Sequence, residues 1–249
     1  MASLIAETLP LGSGVRILKV DANGLCALEK PEGVLSHPNR PKDRGRSLLG
    51  ANYDSSDESY LIGGEGKSER VWLLNRLDSA ASGLILIALN ADVAKAVRSA
   101  FRLREVRKVY QALVFGHARV ARQNWVDRMN VKGEGNSVRA VDSGRLKAET
   151  DMKRLRLIPG PPALSLLELQ PHTGRTHQLR FQCGKHGMPI VGDQTYGDFR
   201  ANREFGRRTG LKRLFLHSSE ILFEYRLPDR VFRFSARSPV PLDFGSSGR

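Results

Sequence analysis

Cysteine is nearly missing from this chain of 249 residues: there are two, Cys26 and Cys183, in unrelated contexts. No CxxC pair occurs, which speaks against a zinc ribbon or a disulfide framework and leaves both as small buried hydrophobes. Long apolar runs are also missing. No window approaches the roughly 18 residues of a membrane span. The opening MASLIAETLPLGSG has neither a basic n-region nor an apolar h-region, so the expectation is a cytoplasmic, soluble, reduced protein. Acidic residues are in short supply: 26 Asp and Glu face 40 Lys and Arg, a net charge of +14. Such a balance suits an anionic partner, above all nucleic acid. The surplus is spread along the chain, which favours a basic face on a folded domain over a disordered basic arm.

What is there is enough for a core. Apolar residues make up 40%, and the length fits one large domain or two fused halves. Residues 1–14 read as a flexible N-terminus. VRILKV (15–20) alternates like a strand, and GLCALEKP (24–31) reads as a second strand stopped by proline. A polar stretch from Gly33 to Arg70 reads as a long loop, of the kind that is functional or mobile. GLILIAL (83–89) has the composition of a buried strand. NADVAKAVRSAFR follows as a helix capped by Asn90, with Val93, Val97, Ala100 and Phe101 on one face. VRKVYQALVFG (106–116) is strand-like, and 117–147 reads as a polar, strand-poor excursion. AETDMKRLRLI and ALSLLELQP flank a Pro-Gly-Pro-Pro turn and predict a hairpin. THQLRFQCGKHG (176–187) predicts a helix, and RLFLHSSEILFEY and RVFRFSA close the chain as strands. Many strands with few helices define an α+β class with a mixed, mainly antiparallel sheet. There is no internal repeat.

Several familiar chemistries find no support. GGEGKS (63–68) ends like a phosphate-binding loop, but the first glycine that motif requires falls at Leu61. His172, His177 and His186 match no metal-ligand spacing, so no metal is expected. Ser82 precedes Gly83 without a GxSxG elbow. Paired-carboxylate glycosidase chemistry needs a second acid beside Asp78, and none is evident.

Two segments remain. LLNRLDSAASGLILIALN (73–90) places Asp78 between apolar runs, where an ionised carboxylate needs either solvent or a partner. QPHTGRTHQLRFQCGKHGMPIVGDQTYG (170–197) leads from a strand through a glycine turn into a helix. Helix-start amides with Arg175 and His177 suit phosphate oxygens. Arg180, on the first helical turn, is a cation on a rigid element and a candidate partner for Asp78. A structural salt bridge and a chemical site both remain open at this point.

These residues carry a resemblance. NRLDSAASGLIL resembles the catalytic motif of the RluA-type family of RNA pseudouridine synthases. KVYQALVFG (108–116) is similar to its second motif, and HTGRTHQLRFQCGKHGMPIVGDQTYG to its third. LEKPEGVLSHP (28–38) resembles its opening strand and loop, and LFLHSSEILFEY its closing strands. The segments occur in the family's order. The resemblance implies the pseudouridine synthase fold: a bent sheet in two halves with a central catalytic cleft, one domain over 15–240, with no S4-type domain before it. It implies isomerisation of uridine to pseudouridine in structured RNA, rRNA or tRNA, by base flipping. Asp78 would be the nucleophile, Tyr110 would stack on the uracil, and Arg180 would pair with Asp78. Arg76 would enter the RNA stack, Lys108, Arg175 and His177 would contact RNA, and Leu179 would wall the pocket. No metal, nucleotide or redox cofactor and no membrane partner is implied; a monomer is the default. The motif departs from the family at Asn75, where His is common, and at Ser79–Ala81, where a basic residue, an acid and Thr are usual. A non-catalytic RNA-binding protein and a nucleoside-cleaving enzyme are therefore carried as alternatives.

Overall fold

The computed structural model describes residues 8–63, 69–133, 139–142 and 144–245. GGEGKS beyond Gly63, and residues 1–7 of the N-terminal stretch, lie outside the described residues. The chain divides into two compact units, Met1–Val106 with Glu220–Ser238, and Arg107–Ser219 with Pro239–Arg249.

In the first unit, β1 (Arg16–Val20) pairs with β2 (Leu25–Lys30), which pairs in turn with β6 (Ser82–Ala88). Strand β5 (Glu69–Leu73) lies on the other edge of β6, followed by β4 (Ser59–Ile62) and β3 (Asn52–Asp54). These pairings are antiparallel, and one parallel bridge joins Leu35 to Ser47. Every residue of β6 is buried, as an uninterrupted apolar run requires when both faces are covered. Helix α1 (Ala91–Leu103) covers one face: Asn90 Oδ1 accepts the amides of Asp92 and Val93, and Val93, Val97 and Ala100 turn inward. They meet Leu84 and Leu86, and with them Phe223 and Phe234. The last two come from β12 (Leu216–Leu227) and β13 (Arg230–Arg237), a hairpin closed by Pro228–Asp229.

In the second unit, β7 (Arg107–Phe115), β11 (Leu164–Pro171), β10 (Leu146–Ile158), β8 (Arg122–Lys132) and β9 (Arg139–Asp142) pair in that order, all antiparallel. Helix α2 (Gln178–Lys185) presents Phe181 to Met129, Ala140 and Ala148. Helix α3 (Phe199–Thr209) starts on the Asp198 carboxylate and ends at Gly210 in the left-handed region. Phe205 from α3 packs edge-on against Phe115 and Phe215. The protein is α+β, built mostly of strands with few helices. No helix among the described residues is long and apolar enough to cross a membrane.

Three expectations need correction. Residues 117–147 are not strand-poor: they hold β8, β9 and the start of β10. In β8 only every second side chain is buried, Trp125, Asp127 and Met129, and an inward charge at Asp127 with an exposed Val126 beside it hid the alternation. The segment 34–70 is not one loop. It contains a 3-10 turn (Pro41–Arg46), β3, β4 and the start of β5, pinned by buried Leu48, Leu49 and Tyr60. The Tyr60 hydroxyl donates to the Ser36 carbonyl at 2.6 Å. The N-terminal looseness does not reach residues 9–12: Leu9 is buried, and Leu11 bridges Leu49. Both cysteines are fully buried and free. Burial, with the charge of Asp21 nearby, pushes the Cys26 thiol up to about 12, so it behaves as a hydrophobe.

Candidate active site

Asp78 stands on a short irregular segment, 74–81, between β5 and β6. It is half-buried, between buried Leu77 and exposed Ser79. The backbone on both sides is tied down. Asn75 Oδ1 accepts the Leu86 amide at 2.7 Å. The Ser36 hydroxyl donates to the Leu77 carbonyl at 2.7 Å and accepts the Leu77 amide at 3.0 Å. The Ala81 amide closes a turn on the Asp78 carbonyl at 3.0 Å.

Lys30 lies beneath this turn. Its side chain is entirely buried at the end of β2, 0% exposed. Its Nζ sits 2.7 Å from the Ala81 carbonyl, 2.8 Å from Val34, 2.9 Å from Pro31 and 3.1 Å from Ser79. One ammonium thereby binds the Ser79 and Ala81 carbonyls, just after Asp78, to the loop after β2. A buried lysine is tolerated only with such complete hydrogen bonding. Arg76 points the other way: exposed, with its guanidinium 4.0 Å from the exposed Glu58 carboxylate. A pair this open contributes little and leaves Arg76 able to move.

The second unit holds the remaining predicted residues. Tyr110 is on β7, half-buried, in register with Leu169 of β11. Lys108, two residues earlier on the same face, lies against the Thr173–Arg175 turn, its Nζ 4.0 Å from where a Cβ on Gly174 would stand. Burial lowers the pKa of Lys108. The turn is built by Gln178, whose Oε1 accepts from the Thr173 hydroxyl at 2.7 Å and the Arg175 amide at 3.1 Å. Arg175 reaches back to the Lys147 carbonyl at 3.4 Å. His177 takes a left-handed conformation at the start of α2, φ 55°. That unusual turn starts the helix at Gln178 rather than Thr176. The His177 ring is engaged with the Tyr196 hydroxyl at 3.0 Å. Leu179 is buried.

Arg180 is 7% exposed and gripped from one side. Its Nε and Nη2 each donate to the Asp193 carboxylate at 2.8 Å, a bidentate pair, and Nη2 also reaches the Thr195 hydroxyl at 3.0 Å. The Tyr196 ring lies 5.3 Å from the guanidinium. Burial alone would raise the Asp193 pKa. The Arg180 hydrogen bonds and charge, with the amides of Tyr196 and Thr195, outweigh it and hold the carboxyl below its ordinary value. Sequence reasoning missed Asp193. The signal was present in PIVGDQTYG, an acid set between Gly192 and Gly197 directly after a short apolar run. Gly192 has φ +79°, and a Cβ there would fall 1.7 Å from the Arg213 carbonyl, so only glycine admits the close approach.

Because the folded pKa of Asp193 is depressed, its stabilisation is fully present above about pH 4, the unfolded value. It is lost as pH falls through the lowered folded value. Asp193→Asn keeps an acceptor but loses the charge, an expected cost of about 2 kcal/mol at neutral pH. In thermal melts from pH 7 to pH 3, the gap between wild type and variant should shrink below about pH 4. A gap that stays constant would mean the pair contributes no charge-dependent stability.

A second buried network braces α2 from behind. Gln182 donates to the Asp127 carboxylate at 2.8 Å and accepts from the Thr150 hydroxyl at 2.6 Å. His186 bonds the same carboxylate at 3.0 Å while stacking on Trp125. Asp127, His186 and Lys185 form a structural cluster. Among the described residues no group of side chains is placed to hold a metal ion.

The chain matches the family model described as RNA pseudouridylate synthase over residues 24–185. It is 31% identical over 223 residues to the tRNA pseudouridine synthase C of Pasteurella multocida, covering 85% of this chain and 87% of that protein. It is 33% identical over 164 residues to the ribosomal large subunit pseudouridine synthase C of Vibrio cholerae, covering 66% of this chain and 50% of that protein. Among solved structures, Human RNA Pseudouridylate Synthase Domain Containing 1 superposes with a TM-score of 0.67 at 22% identity, covering 93% of this chain and 86% of that one. That likeness establishes the fold. The chain belongs to the RNA pseudouridylate synthase family. It is an RNA-modifying isomerase that makes pseudouridine.

Proposed function

We propose that the enzyme isomerises a flipped-out uridine of tRNA or rRNA with Asp78 as the nucleophile. The carboxylate attacks ribose C1′, the N1–C1′ bond breaks, and the uracil leaves with the bonding electron pair. The base rotates within the pocket, and C5 displaces Asp78 from C1′. Loss of the C5 proton restores the ring, and N1 gains a proton. Atoms and electrons balance without an external oxidant or reductant, so the reaction itself calls for no redox cofactor. Covalent carboxylate catalysis divides one difficult exchange into two easier ones.

In this reading Tyr110 stacks on the uracil, worth ~1–3 kcal/mol per base. Arg76 occupies the gap the base leaves, Arg180 is the cation for the Asp78 carboxylate, and Leu179 walls the pocket. Lys108 and Arg175 contact backbone phosphates. The observation that carries the reading is the way Asp78 is presented. A half-buried carboxylate sits on a turn held by Lys30, Ser36 and Asn75, the pre-organisation a nucleophile needs. The tRNA and rRNA enzymes among its relatives support the substrate class.

The test is product analysis. Purified protein is incubated with unmodified tRNA and rRNA transcripts, followed by nucleoside chromatography and mass measurement. Uridine should convert to pseudouridine with intact RNA mass unchanged. Release of free uracil would replace this reading with nucleoside cleavage. Tight binding without conversion on any RNA would replace it with an RNA-binding role.

A further inference from the structure

Part of the positive charge has no place in the chemistry above. Helix α3 reads FRANREFGRRT and carries Arg200, Arg203, Arg207 and Arg208 against a single acid, Glu204. Its inward side is Phe205 and Gly206. Helical spacing puts Arg200, Arg203 and Arg207, at i, i+3 and i+7, on one outward stripe. All three are exposed, and among the described residues no ion pair engages them. Arg208 is turned away and donates to the Pro161 carbonyl.

Arg203 and Arg207, with Lys212 just beyond the helix, line a groove of about 830 Å³. No carboxylate lines it. Phe199, 51% exposed, also borders it. Three cations around one concavity without an acid repel one another and favour a bound anion. Guanidinium groups beside an exposed ring are the composition of surfaces that track a nucleic-acid strand, cations on phosphates and the aromatic on a base. The groove is also joined to the loop that holds Arg180. Asn202, from the same helix and groove, accepts the Gly192 amide at 2.7 Å and donates to the Asp193 carbonyl at 2.9 Å.

We propose that this groove is a docking site for the phosphate backbone of the substrate RNA, separate from the residues that touch the reacting uridine. The proposal rests on the RNA-modifying reading above. It assigns Arg203, Arg207 and Lys212 to affinity and leaves the chemical step to others.

The test is a triple variant, Arg203→Gln/Arg207→Gln/Lys212→Gln, in the full chain, with an unchanged melting temperature as the control for folding. Binding to an unmodified tRNA transcript is measured by fluorescence anisotropy over a series of KCl concentrations. Each single-strand phosphate contact contributes about 0.7 to the slope of log K against log salt, so three lost contacts should lower the slope by about 2. The dissociation constant should rise roughly tenfold at physiological salt. KM should rise with kcat at saturating RNA unchanged. Unchanged affinity and slope would overturn the proposal. So would retained RNA binding with lost binding to poly-glutamate, which would assign the groove to an acidic protein. A wild type that binds RNA but makes no pseudouridine would defeat the enzymatic reading alone, and the salt slope would still decide the groove.

Discussion

Asp78→Asn should fold, bind RNA and make no pseudouridine. The substitution keeps the shape of the side chain and removes the nucleophilic charge. The turn around it is built from main-chain bonds to Lys30, Ser36 and Ala81, none of which needs the carboxylate, so the variant should remain folded at the assay temperature, with a thermal melt as the control. Loss of a covalent nucleophile typically costs roughly 10⁴–10⁶-fold in rate. RNA affinity comes mainly from cations on phosphates and should change less than about threefold. Single-turnover kinetics on a transcript, with anisotropy binding alongside, separates the two effects. Turnover within tenfold of wild type would remove Asp78 from the mechanism.

The second large effect is on folding. Lys30→Met keeps the length and apolar stem of the side chain but removes the donors shared among four carbonyls. A buried carbonyl left unsatisfied costs roughly 1–3 kcal/mol. Partial relaxation and water entry would leave a net loss of about 3–5 kcal/mol. For a chain of this size that lowers the melting temperature by roughly 10 °C. Because two of the carbonyls belong to Ser79 and Ala81, turnover should also fall at temperatures where the variant remains folded. Chemical denaturation and activity on one preparation test both. A variant as stable as wild type would mean that the turn around Asp78 holds itself without the lysine.

The sequence made some of this legible and not the rest. Strong periodic or uniformly apolar segments read correctly: β6 and its flanking helix α1 follow from an unbroken apolar run and an asparagine cap. Where an inward position carries a charge and an outward one an apolar side chain, as at Asp127 and Val126 of β8, the alternation is not legible. Helix α3 escaped notice because its buried side is reduced to Phe205 and Gly206. Asp78 stood out because a lone acid between apolar runs demands an explanation. Lys30 and Asp193 raise the same question and went unread: carbonyl partners leave no mark in a sequence, and Arg180, the partner of Asp193, was assigned to Asp78 instead. The notable departure at Asn75 has a structural use: its side chain caps the Leu86 amide, so that position still organises the turn.

The most direct test of the central claim is pseudouridine mapping of total RNA from cells lacking this gene, complemented with wild type or with Asp78→Asn. Carbodiimide-dependent primer-extension stops report the sites. The account predicts that one or a few stops vanish in the deletion, return with wild type, and stay absent with Asp78→Asn. Restoration by Asp78→Asn would contradict it.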